Sequence, residues 1–589
     1  MSVADNAAMR STILPAGGVA PNADPGLVST FDALDASGRG WYLGETNDRA
    51  SRLAWGESYV MVAYLTMYEA TGQRRYLDKF VKHATAVVAK TDRNRHVTDY
   101  RGRSTGAWRC GNTHTVAKVT FVDRRGRPVL EAFSRWFNVN NYSRIRVLAG
   151  GSRYTFSLVG RNPWVQPEGY YGLSMNARRG NYAGRRINPR SEFLTVRRVG
   201  YGVRHPKAVP RATRFRQPVP MYYHFLCQTG MTAYPLAHFY NIVKSDATLT
   251  ASYEETATRF LAVAKLAVAA HDDEWVNSGR VGYYRFRLRA PVWSDGVEAP
   301  HNKLFAMGRT LVELYRATGE SVYRSRSIRL ARLFRRHVRR NAYNAYLWRY
   351  WWGRGNTGWR AGRSPSTWTP VYDNVVPRPE DLVHGGIDVE FAAEAARSRI
   401  VFTQSDLVRF TNTLYANMRR PGDSLAFYVD GTANEGTFAS RMGITGWFSL
   451  APVSRDLYRV ANKRVANALR KRLKSGVLLY AVARDVQARR LLAADSRALR
   501  APAVRVLGGL RQGSRVRGRF TLRLSVACAG RARVVFYVGS RRVRVLTRAP
   551  YRCRFNTRGL SNGRHLFRVV ATESEGRTSV ARLTLRVAN

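Results

Sequence analysis

The chain has 589 residues, 45% of them hydrophobic, enough for several large cores of about 150 residues each and too much for an intrinsically disordered protein. Its 97 lysines and arginines, nearly all arginine, outweigh 40 acids and leave a net charge of +57. Such a field attracts polyanions, but the arginines are spread along the whole chain and no nucleic-acid module is recognisable, so nucleic acid is not an expected partner.

Residues 1–40 are small, rich in Pro and Gly, and aperiodic up to Phe31, and they read as a flexible arm without the basic-then-apolar order of a signal peptide. From Trp41 to Lys90 the period becomes helical. Within it, Tyr59–Tyr76 (YVMVAYLTMYEATGQRRY) is echoed far along the chain by Phe305–Tyr323 (FAMGRTLVELYRATGESVY). Each copy ends an apolar helical run in Tyr-x-Ala-Thr-Gly, with Gly72 or Gly319 where a helix end needs positive φ, and so reads as two helices joined by a tight turn. Dispersed hairpins of this kind bury their faces only by stacking around a shared core.

Residues 117–160 alternate apolar and polar between Gly and Asn turns, which predicts a β-rich insert. Residues 161–220 read as a long irregular loop. Helical periodicity returns at Met221 and continues to about 340. A Trp-dense stretch fills Tyr346–Trp368, a further helix opens after Pro379, and helices run to about Leu492. Arg500–Ala503 has the look of a linker. Residues 502–589 form short strands of period two at the spacing of a β-sandwich. The expected division is an arm over 1–40, a helical domain over 41–500 and a sandwich over 501–589.

The tail, from Ala549-Pro550-Tyr551 through Phe555-Asn556-Thr557, Gly559–His565 and Val569–Thr572, resembles the bacterial immunoglobulin-like modules appended to secreted polysaccharide-acting proteins. The resemblance covers about the last 85 residues. It suits a disulfide between Cys528 and Cys553 and hence an oxidising compartment, secreted or at the cell surface. The helical part, roughly 41–492, resembles in architecture the α/α-toroid enzymes that handle polysaccharides, hydrolases and lyases alike. No family's catalytic signature matches, so the resemblance assigns no catalytic residue.

The segment from Pro377 to Asp388 is the strongest site candidate. Asp381, His384 and Asp388 recur three and four apart on one helix face, and Gly385 and Gly386 would let a ligand approach the backbone. Hydrolysis of a glycosidic bond uses two opposed carboxyl groups, with Glu57 or Asp99 as the expected partner from another helix. Trp348, Arg349, Tyr350 and Trp351, with Arg378 and Tyr100, are candidate sugar contacts. Glu298 and His301 precede the second hairpin as Trp55 to Ser58 precedes the first, and they join the same list.

A lyase or uronate epimerase would instead draw on His384, Tyr372, Arg378, Tyr234 and His224. No dinucleotide fingerprint, phosphate loop or close-spaced metal cluster is present, and neither cofactor nor metal is expected. The sequence thus points to an extracellular glycoside hydrolase degrading an acidic polysaccharide by carboxylate acid/base catalysis, with a lyase or uronate epimerase as the alternative and a non-catalytic glycan binder as the competing class.

Overall fold

The computed structural model describes residues 24–357, 367–368, 377–434, 443–494, 500–528 and 530–589. Helix α1, Pro25–Ser37, starts where Asp24 accepts from the amide of Gly26 and proline supplies a preformed first turn. It buries Phe31 against Tyr64 and Tyr76. The arm expected over 1–40 is therefore docked from residue 24 onward, and residues 1–23 lie outside the described residues.

The repeated hairpins form as read. α2 (Ser58–Thr71) passes to α3 (Arg75–Ala89) through Gly72, whose φ is 71° and whose amide reaches Tyr68 O at 2.7 Å. Further along, α4 (Leu226–Lys244) pairs with α5 (Ala247–Ala269). α6 (His301–Thr318) passes to α7 (Ser321–His337) through Gly319, at φ 72° with its amide 2.8 Å from Tyr315 O. α8 (Leu382–Arg397), α9 (Gln404–Asn412), α10 (Arg455–Arg470) and α11 (Gly476–Ala494) complete the helical part.

The inner helices pack in a closed cycle. α2 meets α4, α4 meets α6, α6 meets α8, α8 meets the short helical segment Thr445–Val453, that segment meets α11, and α11 returns to α2. Close contacts of Gly230 with Ala306 and Met307, of Gly386 with Gly446, and of Gly476 with Gly56 and Val60 join the early turns of neighbouring inner helices, so these helix starts share one rim.

The axial stripes explain why the ring closes in one register. On α6, Lys303, Ala306, Arg309, Glu313 and Arg316 follow at steps of three and four, and on α8, His384, Ile387, Glu390, Glu394 and Arg397 follow at the same steps. Near the rim, Ala306 and Ile387 join Ala54, Cys227 and Met231 in a small apolar plug. Beneath it, Arg309 pairs with Glu390, which also accepts from Tyr480 Oη at 2.6 Å, while Arg484 donates to Tyr480 at 2.7 Å. Deeper still, Glu313 takes bonds from Arg316 (2.8 Å) and Asn241 (2.6 Å) and faces His238 (3.2 Å), which reaches Glu69 on its other side at 3.1 Å. Burial opposes charge on His238, but Glu313 and Glu69 outweigh it and raise its pKa to about 10.

The β-rich insert runs past the expected boundary. A four-stranded sheet orders Leu194–Arg198, Pro128–Ser134, Ala117–Val122 and Val219–Pro220, and a three-stranded sheet orders Ser143–Gly150, Arg153–Gly160 and Glu168–Leu173. Residues 161–220, expected to be an irregular loop, thus supply strands to both sheets. Phe121, Val147 and Phe156 form part of the insert's core.

The tail holds two sheets, Ala503–Leu507 with Arg519–Ala527 and Tyr551–Asn556, and a five-stranded one built around Gly563–Glu573. The expected Cys528–Cys553 bridge is not formed. Cys553 lies opposite Leu522, so Cys528 sits six residues further along the strand direction, about 20 Å away at ~3.3 Å per residue, where a disulfide needs less than about 7 Å between Cα atoms. Both cysteines should therefore alkylate when the oxidised, folded protein is denatured without reductant, as mass spectrometry would read; a mass two hydrogens lighter that resists alkylation would contradict this register.

Nor does the tail hang on a bare linker. Tyr343, Ala345 and Ala416 of the helical part share an apolar cluster with Val535 and Val570. Buried Asn412 donates to Gly576 O (2.8 Å) and Asn344 O (3.1 Å) and accepts from Thr578 N (3.0 Å). Asn412→Ala strands these groups and should cost ~1–3 kcal/mol, read as a lowered denaturation midpoint in guanidinium, whereas a midpoint equal to wild type would mean the two parts are energetically independent.

Candidate active site at the rim of the helical ring

The rim is built from an extended ladder above the helix starts. Tyr350 N donates to Arg378 O at 3.1 Å and Glu380 N to Trp348 O at 3.0 Å, and on the other edge Leu382 N donates to Phe427 O at 2.8 Å and Val429 N to Glu380 O at 2.9 Å. This ladder delivers Asp381 to the start of α8, where one carboxylate does two jobs. Its Oδ1 accepts the amides of Val383 and His384, both at 3.0 Å, and its Oδ2 takes Nδ1–H of His384 at 2.7 Å. The imidazole is thereby held in one tautomer with Nε2 left over, and the side chain is 36% exposed.

Burial disfavours the charged imidazole, but the hydrogen bond and charge of Asp381 and the charge of Glu380 outweigh it and raise the His384 pKa. Burial also works against the Asp381 carboxylate, which the same His384 bond and Arg378 bring below its ordinary value. Tyr350 sets its ring edge-on to His384 at 5.3 Å, with the Arg378 guanidinium 4.6 Å from the Tyr350 centroid and 3.7 Å from Asp381. Burial, then the charge of Glu380, pushes the Tyr350 hydroxyl far above the usual phenol range.

Behind this group lies a pair of carboxyls. Glu380 and Asp388 are both fully buried. Glu380 Oε1 accepts the Asp381 amide at 3.0 Å and Asp388 Oδ2 accepts Trp348 Nε1 at 2.7 Å, and the other two oxygens have no separate donor. The two buried carboxyls interact, and a proton held by one of them would supply the donor that both remaining oxygens lack. Burial is the main cause that lifts Asp388 to about 8, and burial together with the Asp388 charge raises Glu380.

Several expected site residues are placed elsewhere. Glu57 is buried in a 2.5 Å contact with His83 Nδ1 on α3, between inner and outer helices. Asp99 closes its own turn by accepting from Arg101 N (2.8 Å) and Arg103 N (3.0 Å), with Tyr100 stacked near Arg101. Neither has a contact with His384 or Asp388, so the carboxylate pair expected from two helices is replaced by Glu380 and Asp388 of one segment.

Trp348 is only 3% exposed and serves as Asp388's donor, which removes it as a sugar platform. Gly385 and Gly386 pack against Trp348, Trp447 and the backbone of Gly446, and it is at Gly446, where a Cβ would lie 2.3 Å from Gly386 O, that the close approach requires a glycine. Glu298 is spent on Arg354, with bonds of 3.1 and 3.2 Å. His224 is buried against Asp92 at 2.8 Å, Tyr234 lies beside Arg309 in the ring interior, and Tyr372 falls outside the described residues.

Trp348, Arg349 and Pro379 of the ladder also line a cleft of about 480 Å³ that includes Arg336, Arg339, Trp351, Trp352 and the acid Asp430. His301, also there, donates from Nδ1 to Arg349 O at 2.7 Å, and its Nε2 meets His337 Nδ1 at 3.0 Å. Burial lowers their pKa values to about 3 and about 4, so both rings are neutral.

Glu380, Asp381 and His384 could together hold a divalent cation, since one donor atom from each lies within 4.8 Å of the others. Asp381 is already committed to the cap and to His384, and the free Glu380 oxygen to the shared proton, so this donor set fits the hydrogen-bonded arrangement better than an ion.

No protein-family model matches the chain, and no curated protein is similar to it. Among solved structures the chain is similar to the fibronectin(III)-like modules of CbhA from Clostridium thermocellum, at 22% identity over 14% of this chain and 94% of that one, with a TM-score of 0.13. It is also similar to an inactive variant of an alpha-1,6-mannanase from Salegentibacter in complex with alpha-1,6-mannotriose, at 8% identity over 46% of this chain and 76% of that one, with a TM-score of 0.30. An endo-beta-1,4-mannanase from Thermotoga petrophila follows at 13% identity over 19% of this chain and 24% of that one, with a TM-score of 0.14, so the chain spans about a quarter of its length. Two of these three are glycan-degrading enzymes. At such scores the chemistry of this chain has to be argued from its own residues.

The carboxyl pair makes a pH-dependent demand on stability. Asp388 titrates near 3.8 when unfolded and at about 8 when folded, so between these values the native state holds a proton that the unfolded state has lost. Stability supplied at low pH is then withdrawn as pH rises from about 4 to about 8, and levels off above. Asp388→Asn cannot ionise, so the difference in melting temperature between variant and wild type should grow in the variant's favour across that window. A constant difference from pH 4 to 9 would show that the pair does not share a proton.

Proposed function

We propose that the chain is an extracellular enzyme acting on an acidic polysaccharide, with an (α/α)-toroid catalytic domain and a C-terminal immunoglobulin-like module. Its chemistry is proton abstraction beside a uronate carboxyl, leading to elimination or epimerisation. The observation that carries this reading is the Asp381–His384 pair at the rim, with Tyr350 at 5.3 Å. His384, its Nδ1–H held by Asp381, has Nε2 free to take the C5 proton, and the resulting imidazolium is stabilised by the adjacent carboxylate. Tyr350 keeps its proton at working pH and can deliver it. In elimination the C5–H and C4–O bonds break, a C4–C5 double bond forms, and the tyrosine proton goes to the leaving glycosidic oxygen. In epimerisation the carbanion is reprotonated from the other face.

A second reading, hydrolysis, is favoured by one feature, the raised pKa of the Glu380–Asp388 pair, which is what a general acid needs. Its weakness is that both carboxyls are fully buried.

Incubation with neutral and uronic-acid polysaccharides separates the two readings, because elimination yields new reducing ends together with absorbance of an unsaturated product and hydrolysis yields reducing ends alone. Epimerisation yields neither and is read by solvent deuterium incorporated at C5. His384→Ala should lower turnover by roughly a hundred to ten thousand-fold with the melting temperature nearly unchanged. Asp381→Asn, which still caps the helix, should move the acidic limb of the kcat/KM profile to lower pH, since it lowers the His384 pKa. Full activity in His384→Ala would refute the site.

A further inference from the structure

Lys303 occupies an unusual position. It stands in the first turn of α6, where the helix dipole disfavours a cation, and it heads the stripe that continues through Ala306 and Arg309 as His384 heads the stripe through Ile387 and Glu390. Its Nζ lies 5.6 Å from the Phe225 ring and 5.0 Å from the Phe286 ring. Among the described residues no carboxylate comes within ion-pair distance of it, although acids are paired with arginines and lysines throughout the molecule.

The titratable groups facing Lys303 are the thiols of Cys110 and Cys227 and the ring of His114. Burial raises both thiols to about 12, and it lowers His114 to about 4 with help from Lys303 itself. None of the three therefore supplies a negative charge at neutral pH. Cys227 packs with Ala306 and Ile387, which lie three residues below Lys303 and His384 on their stripes, so Lys303 and His384 stand at the same end of the two helices. A partly buried ammonium without a counter-charge is costly, and burial accordingly lowers its pKa. Aromatic rings offset only part of that cost. What the position lacks is one anion.

We propose that Lys303 is the specificity residue for an acidic sugar, binding the carboxylate of a uronic acid unit. This rests on the reading of the rim as a glycan site, but not on the reaction assigned to it. The carboxylate completes the ion pair that the protein leaves open, and neutralising it also lowers the barrier to removing the proton on the adjacent carbon. The cost of the uncompensated cation falls on the free protein and is recovered on binding, a division of stability and function found at many sites.

The test is calorimetric binding of oligogalacturonate and oligoglucuronate, of the same oligomers with their carboxyls reduced to alcohols, and of a sulfated neutral oligomer. It uses the full chain carrying His384→Ala, at 0.15 M salt so that the general positive field is screened to about 8 Å. The acidic oligomers should bind at least tenfold tighter than the reduced ones. Lys303→Met should abolish that ratio while leaving affinity for the reduced oligomers unchanged, and should raise the melting temperature of the free protein. Lys303→Arg should keep part of the ratio.

A field effect of 97 basic residues would not respond to the loss of one. The proposal is overturned if the acidic and reduced oligomers bind alike, if neither binds, if Lys303→Met keeps the ratio, or if the sulfated oligomer binds as tightly in the same Lys303-dependent way. A Lys303-dependent ratio without turnover on any polymer would retain the carboxylate site and remove the enzymatic reading. Turnover of a neutral polymer, equal in wild type and Lys303→Met, would do the reverse.

Discussion

The structure depends on pairing the charges that line the axis of the helical ring. Arg309 is 3% exposed and Glu390 4%, and breaking such a buried pair costs about 3–5 kcal/mol because the survivor is left uncompensated. Their side chains meet only if α6 and α8 are rotated and staggered so that the two stripes face each other. Tyr480 on α11 and His238 on α4 extend the requirement to other inner helices through Glu390 and Glu313. Hydrophobic packing alone tolerates sliding by a turn, whereas a chain of ion pairs does not. Register fixed deep in the ring is transmitted upward, three and four residues at a time, to Lys303 and His384.

That constraint separates what the sequence made legible from what it hid. The hairpins were readable because their signal is local: an apolar helical period, then Gly72 or Gly319 at the left-handed position. The strands of the tail were readable from their period of two. Residues 161–220 were not, since their strands are short and pair with partners distant in sequence, as Leu194–Arg198 does with Pro128–Ser134. The docking of the tail on Asn412 and Tyr343 was invisible for the same reason. The disulfide failed on register, which an even cysteine count does not carry.

At the site, the segment from Pro377 to Asp388 was legible and its internal logic was not. Spacing put Asp381 and His384 within reach of each other, but could not tell a glycine that faces a ligand from one packed against Gly446, nor a tryptophan that stacks sugar from one that donates to Asp388. Glu57 had the residue type and helix-start position expected of a partner carboxyl; in the fold it is buried and its partner is His83. The missed residues did leave signals. Lys303 contradicts the dipole rule at a helix start, and Glu380 directly precedes the Asp381 cap, so that a buried carboxyl and an ionised one become neighbours.

The large positive charge and the single lysine act at different ranges. A net charge of +57 raises the local concentration of any polyanion, and beyond about 8 Å at physiological salt it distinguishes very little. Discrimination needs a charge that water and counter-ions do not screen, which means one partly withdrawn from solvent and unpaired in the free protein. Most of the arginines near the axis fail that condition because an acid already answers them. At the rim the balance is different. Asp381 is answered by His384 and Arg378, Glu380 and Asp388 answer each other through a proton, and the charge left unanswered beside them is positive. A ligand that restores neutrality there brings its carboxyl, and the acidic C–H next to it, to the side of the ring where His384 holds a free nitrogen.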